Sequence, residues 1–192
     1  MKWLTGRGTV AALAVGVATV WGFGWRGFVL LLAFFVSGSL LTTAAQRGGS
    51  RNARQVIANG GIAAVAALAG HWAWFAGALA AATADTWATE IGSHSRTPPR
   101  LITTRARVPA GTHGGMTLLG TAGGVAGAAF IAALSSLLGQ RGALIIASAG
   151  IAGMLIDSLL GATLQGKVRS MDNDAVNLAA TLAGAVCAGV LA

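Results

Sequence analysis

The chain is poor in charge, in acid and in cysteine, and it has no tyrosine at all. Only 9% of its 192 residues are charged while 55% are hydrophobic. Such a composition excludes an ordinary soluble domain, which would need polar faces alternating with apolar ones. One cysteine, Cys187, excludes an intramolecular disulfide and a cysteine-based metal cluster. It reads as small packing filler in the last apolar run. Five acidic residues against 13 lysines and arginines leave a net charge of +8. The basic residues form short clusters between apolar runs, not a long arm with interleaved aromatics, so no nucleic-acid partner is expected.

What fills the chain is apolar run after apolar run. Seven candidate spans lie at about residues 8–23, 27–45, 55–69, 72–92, 114–138, 142–165 and 175–191. The third has roughly 15 residues against the ~20 a crossing usually needs, so it is expected to tilt or be partly re-entrant. The opening, MKWLTGRGTVAALAVGVATV, begins like a secretory signal. With apolar runs continuing to Ala192, it is expected to stay as the first span. No internal repeat or long linker divides the chain. The expected architecture is therefore one all-α integral-membrane domain over residues 1–192, a polytopic transmembrane helix bundle of about seven spans.

Seven crossings put alternate loops on one side. Every lysine and arginine except Arg26 and Arg141 then falls on the side of the N-terminus. The positive-inside rule makes that side cytoplasmic and the C-terminus external. Small residues such as Gly120, Gly124, Gly150, Gly153, Ala180 and Gly184 recur at spacings that let helix backbones approach in lipid.

The five acids are not scattered. Asp85 and Asp157 lie seven and eight residues before the cytoplasmic ends of their spans, roughly 10 to 12 Å below one boundary. Glu90 lies nearer that boundary, and Asp172 and Asp174 just precede the last span. A buried carboxylate paired with arginine to lock helices is the plain alternative. At membrane depth, however, an ionised carboxylate costs at least ~2.5 kcal/mol and such residues usually line functional cavities. Asp174 is also a candidate helix cap. Asn59 and Asn177 lie on the same side.

Two further clusters suit phosphate. VPAGTHGGMT, residues 108 to 117, has Gly111, Gly114 and Gly115 just before a helix N-terminus, where backbone N–H groups and partial positive charge favour anions. Thr112 and His113 lie inside this turn. It is not a Walker loop, because no Gly-Lys-Ser/Thr follows. Arg47, Arg51 and Arg54, spaced four and three apart, would share a face if QRGGSRNARQV were helical.

Taken in order, RNARQVIANGG, ADTWATEIGS, VPAGTHGGMTLLG, GMLIDSLLGATLQ and NDAVN resemble the motif set of the integral-membrane family typified by plant phytyl phosphate kinase. The same family is called domain of unknown function ninety-two and includes transmembrane protein nineteen-like members. LTGRGTVAALAVG and FFVSGSLLT extend the resemblance over nearly the whole chain. It implies phosphoryl transfer from a nucleoside triphosphate, CTP or ATP, to a phytyl- or geranylgeranyl-type monophosphate. By position it assigns Asp85 and Glu90 to the acidic motif, Gly111 to Gly115 to the glycine turn, Asp157 and Gln165 to a second acidic helix, and Asn173, Asp174 and Asn177 to the last motif.

The chemistry agrees with that expectation. Phosphoryl transfer needs a cation on the transferring phosphate, positive charge for the transition state and in-line positioning. A prenyl monophosphate is already an anionic nucleophile, so a dedicated base is unnecessary. Asp85, Glu90 and Asp157 are the expected catalytic residues. Asp85, Asp157, Asp174 and Glu90 would hold Mg²⁺. Arg47, Arg51, Arg54, Arg105, Lys167 and the glycine turn would bind phosphates of nucleotide and lipid, with Asn59, Gln165, Asn173 and Asn177 beside them. The site is expected to face the cytoplasm from a prokaryotic plasma membrane, and the reading leaves room for a homo-oligomer. Two alternatives share these features: a CTP-dependent cytidylyltransferase-like enzyme acting on a lipid phosphate, and a small membrane transporter.

Overall fold

The computed structural model describes residues 3–45 and 49–192. Lys2 and Arg47 lie outside the described residues. Six α-helices are present among them: α1 (Gly6–Ala44), α2 (Ala53–Leu68), α3 (Trp72–Gly92), α4 (Leu118–Leu137), α5 (Ala143–Thr163) and α6 (Asn173–Leu191). Among the described residues extended pairing is confined to a two-stranded antiparallel ribbon in the loop between α3 and α4, β1 (Arg100–Leu101) with β2 (Gly115–Met116), and to single bridges joining Leu4 to Arg51 and Arg100 to Arg107.

Two of the expected stretches are fused in α1. A straight helix of 39 residues would run about 58 Å, roughly twice the hydrocarbon thickness. Gly24 breaks it, with φ 60° and ψ −146°, a conformation open to glycine and closed to residues with a Cβ. Before this corner α1 runs parallel to α2, since Gly8 abuts Arg51 and Gly22 abuts Ala67. Beyond it the chain returns along α3. Phe23 packs on Trp72 and Phe75 at one end, while Ser37 and Thr42 reach Trp87 and Glu90 at the other.

The remaining helices alternate in the same manner. Gly120 meets Ala88 near the end of α3 while Ser135 meets Trp72 at its start, so α4 is antiparallel to α3. α5 runs parallel to α3, and α6 antiparallel to it, with Gly184 against Gly77 and Gly189 against Trp74. Seven helical stretches thus traverse the bundle, and the described chain starts and finishes at opposite ends. Four helices, α1, α4, α5 and α6, are long and apolar enough to cross a membrane. α2 has only 16 residues. α3 is diluted by Trp, Thr, Asp and Glu.

α3 can carry that dilution because it is the axis of the bundle. It contacts all five other helices, and every residue from Phe75 to Ala84 is buried. Its alanines let neighbours approach: a Cβ added at Gly77, Gly150, Gly153 or Gly184 would strike α3 or its partners. Large apolar side chains point outward instead, among them Val10, Leu13, Val17, Leu118, Leu137, Leu144 and Val190. That pattern suits lipid, where outward apolar surface costs nothing. Trp21 and Trp25 are exposed at the end opposite the acids, a placement that suits a membrane interface.

The fifth stretch was expected to become helical from residue 114, but α4 begins at Leu118. Thr117 ends the extended segment and caps the helix, its hydroxyl accepting from the Gly120 N–H at 2.9 Å. Gly114 and Gly115 remain in the turn and ribbon, free to line the space beneath.

Candidate functional site

At the end of the bundle that holds the five acids lies a cavity of about 860 Å³. Its walls come from the last two turns of α3, the start of α2, the ends of α5 and the beginnings of α4 and α6, and its lid is the loop between α3 and α4. Asp85 and Asp157 meet inside it, their side chains interacting directly between α3 and α5. Asp157 Oδ2 is buried without a hydrogen-bond partner. A buried carboxylate oxygen without a donor is costly, and two facing carboxylates repel, so the pair fits a cation.

Glu90 stands one and a half turns farther along α3 and is also buried. Thr42 Oγ1 lies 2.9 Å from its Oε1, and its Oε2 is orphaned. Across from it Arg51 enters the cavity with its guanidinium against the faces of Phe34 and Phe35, 6.0 and 5.7 Å from the ring centres. Burial draws the Arg51 guanidinium below its ordinary pKa, and the charge of Glu90 works against that shift.

The expected arginine face does not form. Asn52 accepts from the Gln55 N–H at 3.0 Å and Gln55 returns the bond, a capping box that starts α2 only after Arg51. Arg51 therefore points into the cavity, whereas Arg54 stands exposed on the helix and pairs with Asp172 at 2.6 Å and Asp174 at 3.5 Å. That pairing takes Asp174 away from the expected metal group, and neither Arg54 nor Asp174 lines the cavity. The cap of α6 is Asp172, which accepts from the Ala175 N–H at 3.0 Å. That backbone N–H, and after it Arg54, hold the Asp172 carboxyl below the usual carboxylate range.

Other expected residues divide similarly. Asn59, Gly111, Thr112, His113, Gly114, Gly115, Gln165, Asn173 and Asn177 all line the cavity. Arg105 does not: it is exposed at the tip of the ribbon with φ 59°, and its carbonyl accepts from Arg100 at 3.0 Å. Lys167 turns back to the Ala162 carbonyl at 2.9 Å and caps the end of α5 instead of reaching the cavity. The glycine turn is seated on α5, because a Cβ at Gly114 would strike Ser158 and Ala162.

No solved structure matches the chain. Its sequence, however, matches a family of membrane proteins over residues 1–185. The chain belongs to the integral membrane protein DUF92 family. It is similar to the uncharacterized membrane protein MJ0933 of Methanocaldococcus jannaschii, at 36% identity over 98% of this chain and 85% of that one. The uncharacterized membrane protein sll0875 of Synechocystis is 31% identical, over 97% of this chain and 82% of its own. The chloroplastic protein VTE6 of Arabidopsis thaliana is 30% identical, over 96% of this chain and 64% of its own. Membership accords with the motif resemblance seen in the sequence.

In this DUF92 chain several cavity residues carried no sequence signal. Arg96 lines the mouth from the loop after α3, and Thr42 arrives from α1, forty-eight residues from the Glu90 it touches. Thr86, Thr89 and Ser158 add hydroxyls to the walls. Nothing local to Thr42 or Arg96 distinguishes them from their neighbours in the sequence. Among the described residues no three His, Cys, Asp or Glu side chains form a group able to hold a metal. The cavity offers a pair of carboxylates, and Mg²⁺ commonly takes one or two carboxylates with water and substrate phosphate completing its shell.

Proposed function

We propose that this chain is a prenyl monophosphate kinase, transferring a phosphoryl group from a nucleoside triphosphate to a phytyl- or geranylgeranyl-type monophosphate. The observation that carries the reading is the facing pair Asp85 and Asp157 in a cavity that also holds Arg51 and a glycine turn. The similarity to VTE6 and the motif resemblance to the phytyl phosphate kinase family support the same direction. All seven helical stretches would cross the plasma membrane, with this end cytoplasmic, since it bears most of the basic residues.

The reaction balances without a protein base. An anionic oxygen of the prenyl phosphate attacks the terminal phosphorus of the nucleotide, and the bond to the bridging oxygen breaks. Its electron pair leaves with the nucleoside diphosphate. Arg51 and the amides of the Gly111–Gly115 turn other than those of Thr112 and Gly115, which bond within the turn, would bind the phosphates and offset developing negative charge. Asp85 and Asp157 would hold Mg²⁺, which supplies electrostatic stabilisation of the transferring group when bound. Asn59 and Asn177, from α2 and α6, would complete the polar wall with uncharged donors.

A carrier needs access from both membrane faces. Here the unbroken buried run Phe75–Ala84 of α3, tight against its neighbours, closes the path beyond Asp85. That favours an enzyme open to one side. A cytidylyltransferase would release pyrophosphate, and the product therefore separates it from a kinase.

The test combines purified protein, Mg²⁺, CTP or ATP, and prenyl monophosphates of several lengths. Wild type should yield the diphosphate together with nucleoside diphosphate. Asp85→Asn and Asp157→Asn should each lower turnover by at least ~100-fold. In Mg²⁺-free buffer Asp157→Asn should unfold at a higher temperature than wild type, because one of two facing carboxylates is gone. Undiminished turnover in both variants would overturn the metal assignment.

A further inference from the structure

Glu90 lies within electrostatic reach of Asp85 but one and a half turns along α3 from it, and its surroundings differ from those of the carboxylate pair. Arg51 lies within electrostatic reach of Glu90 but makes no ion pair with it at 4 Å or less. Among the described residues no hydrogen bond anchors the guanidinium. It lies instead on Phe34 and Phe35 and against Gly38, where an added Cβ would come within 3.0 Å of Arg51 Nη2. Hence α1 forms the seat of Arg51, with a glycine at its closest point, and Thr42 one turn on from Gly38 ties Glu90 to the same helix.

We propose that Glu90 is a positioning residue which acts through Arg51, steering the guanidinium across the cavity to receive a substrate phosphate opposite Asp85 and Asp157, and that it is not a metal ligand. This rests on the proposed kinase reading for the identity of the phosphate. Several features argue for it. Arg51 is half-buried and, among the described residues, its guanidinium donors are uncommitted; a planar guanidinium resting on aromatic faces presents its N–H edge for paired bonds to phosphate oxygens. Glu90 is held by α1, the helix that seats Arg51, whereas Asp157 belongs to α5. Removing the Glu90 charge leaves the guanidinium without the partner that aims it at the phosphate.

The proposal predicts a particular kinetic split. Glu90→Gln should raise KM for the prenyl monophosphate roughly tenfold, leave kcat within about twofold, and leave the Mg²⁺ concentration for half-maximal rate unchanged. Gly38→Ala, which displaces the guanidinium without touching any charge, should reproduce that split. Adding Glu90→Gln to Arg51→Ala should cost nothing further, since coupled residues are non-additive. A shifted Mg²⁺ requirement in Glu90→Gln, or a full additional loss in the Arg51→Ala background, would overturn the idea. Glu90→Gln can still hydrogen-bond Thr42; were it nevertheless to misfold, Gly38→Ala carries the test.

Calorimetry with inorganic phosphate keeps this inference separate from the kinase reading. If wild type phosphorylates no prenyl monophosphate, that reading fails. Weaker phosphate binding in both Glu90→Gln and Arg51→Ala would still sustain the positioning role. Unchanged phosphate binding in Glu90→Gln would sink it.

Discussion

Gly114→Ala tests whether the glycine turn is docked on the carboxylate helix. Gly114 has φ 72°, and a Cβ there would lie 2.5 Å from both Ala162 Cβ and Ser158 O. Its neighbour in contact is Gly161, whose own Cβ would meet the Gly114 N–H. Placing a Cβ in the left-handed region costs about 1–2 kcal/mol, and forcing it into filled space costs about 1–3 kcal/mol more. Gly111 is the matched control. It has φ 86° but open space around its missing Cβ, so Gly111→Ala meets only the conformational cost. The difference between the two, about 1–3 kcal/mol, isolates the contact with α5. Loops relieve strain by moving, so the larger cost should appear as undocking of residues 108–117 more than as a fall in global stability. Limited trypsin digestion reads this directly, because Arg100, Arg105 and Arg107 lie exposed in the loop. Gly114→Ala should accelerate cleavage there by about 5- to 100-fold over Gly111→Ala, with the two melting temperatures close together. Equal cleavage of the two variants would refute the docking of the turn on α5.

Other consequences concern the ends of the helices. Arg54→Ala removes pairs that are solvent-exposed, so it should cost at most about 1 kcal/mol, less in high salt, and leave KM unchanged. The depressed pKa of Asp172 means that its support of the α6 cap is present above the ordinary aspartate range and is lost as pH falls through the folded-state pKa. Acid titration followed by hydrogen exchange should show the first turn of α6 fraying before α3 does, and simultaneous loss would contradict this. A reporter fused after Ala192 should be external and one before Trp3 cytoplasmic. A cytoplasmic reporter at the C-terminus would overturn the seven-crossing orientation.

Much of this arrangement was legible in one dimension. Apolar runs mark the helices because a hydrocarbon solvent favours them, and the matching level of Asp85 and Asp157 on α3 and α5 follows from the helical rise alone. Periodicity cannot reveal the corner at Gly24, since a single glycine with φ 60° leaves the apolar pattern intact on both sides. Nor can it choose between neighbouring arginines. Arg51 and Arg54 are equally basic in the sequence, and the capping box at Asn52 sends one inward and leaves the other to Asp172 and Asp174. The placement of Asp174 was lost for the same reason. Its competing partner is set by tertiary structure, and so is the reach of Thr42 to Glu90.

The one-sidedness of the polar residues has a structural cause in α3. From Phe75 to Ala84 this helix presents chiefly alanine, so that neighbouring backbones close upon it and exclude water. Immediately afterwards come Asp85, Thr86, Thr89 and Glu90; α4 still closes on Ala88 and Gly92 through Gly120, and the cavity opens toward α2, α5 and α6 where the alanine run stops. The two halves depend on each other. A carboxylate at Asp85 is tolerable because polar groups from α2, α5 and α6 reach the open half, and those helices converge because the closed half draws them together. Enlarging a residue in the closed half, for instance Ala81 where Gly153 and Gly184 both pack, should therefore separate Asp157 from Asp85 without altering either. Ala81→Val would then weaken Mg²⁺ activation from a position inside the sealed half. An unaltered Mg²⁺ dependence in a folded Ala81→Val protein would show that the two halves are independent.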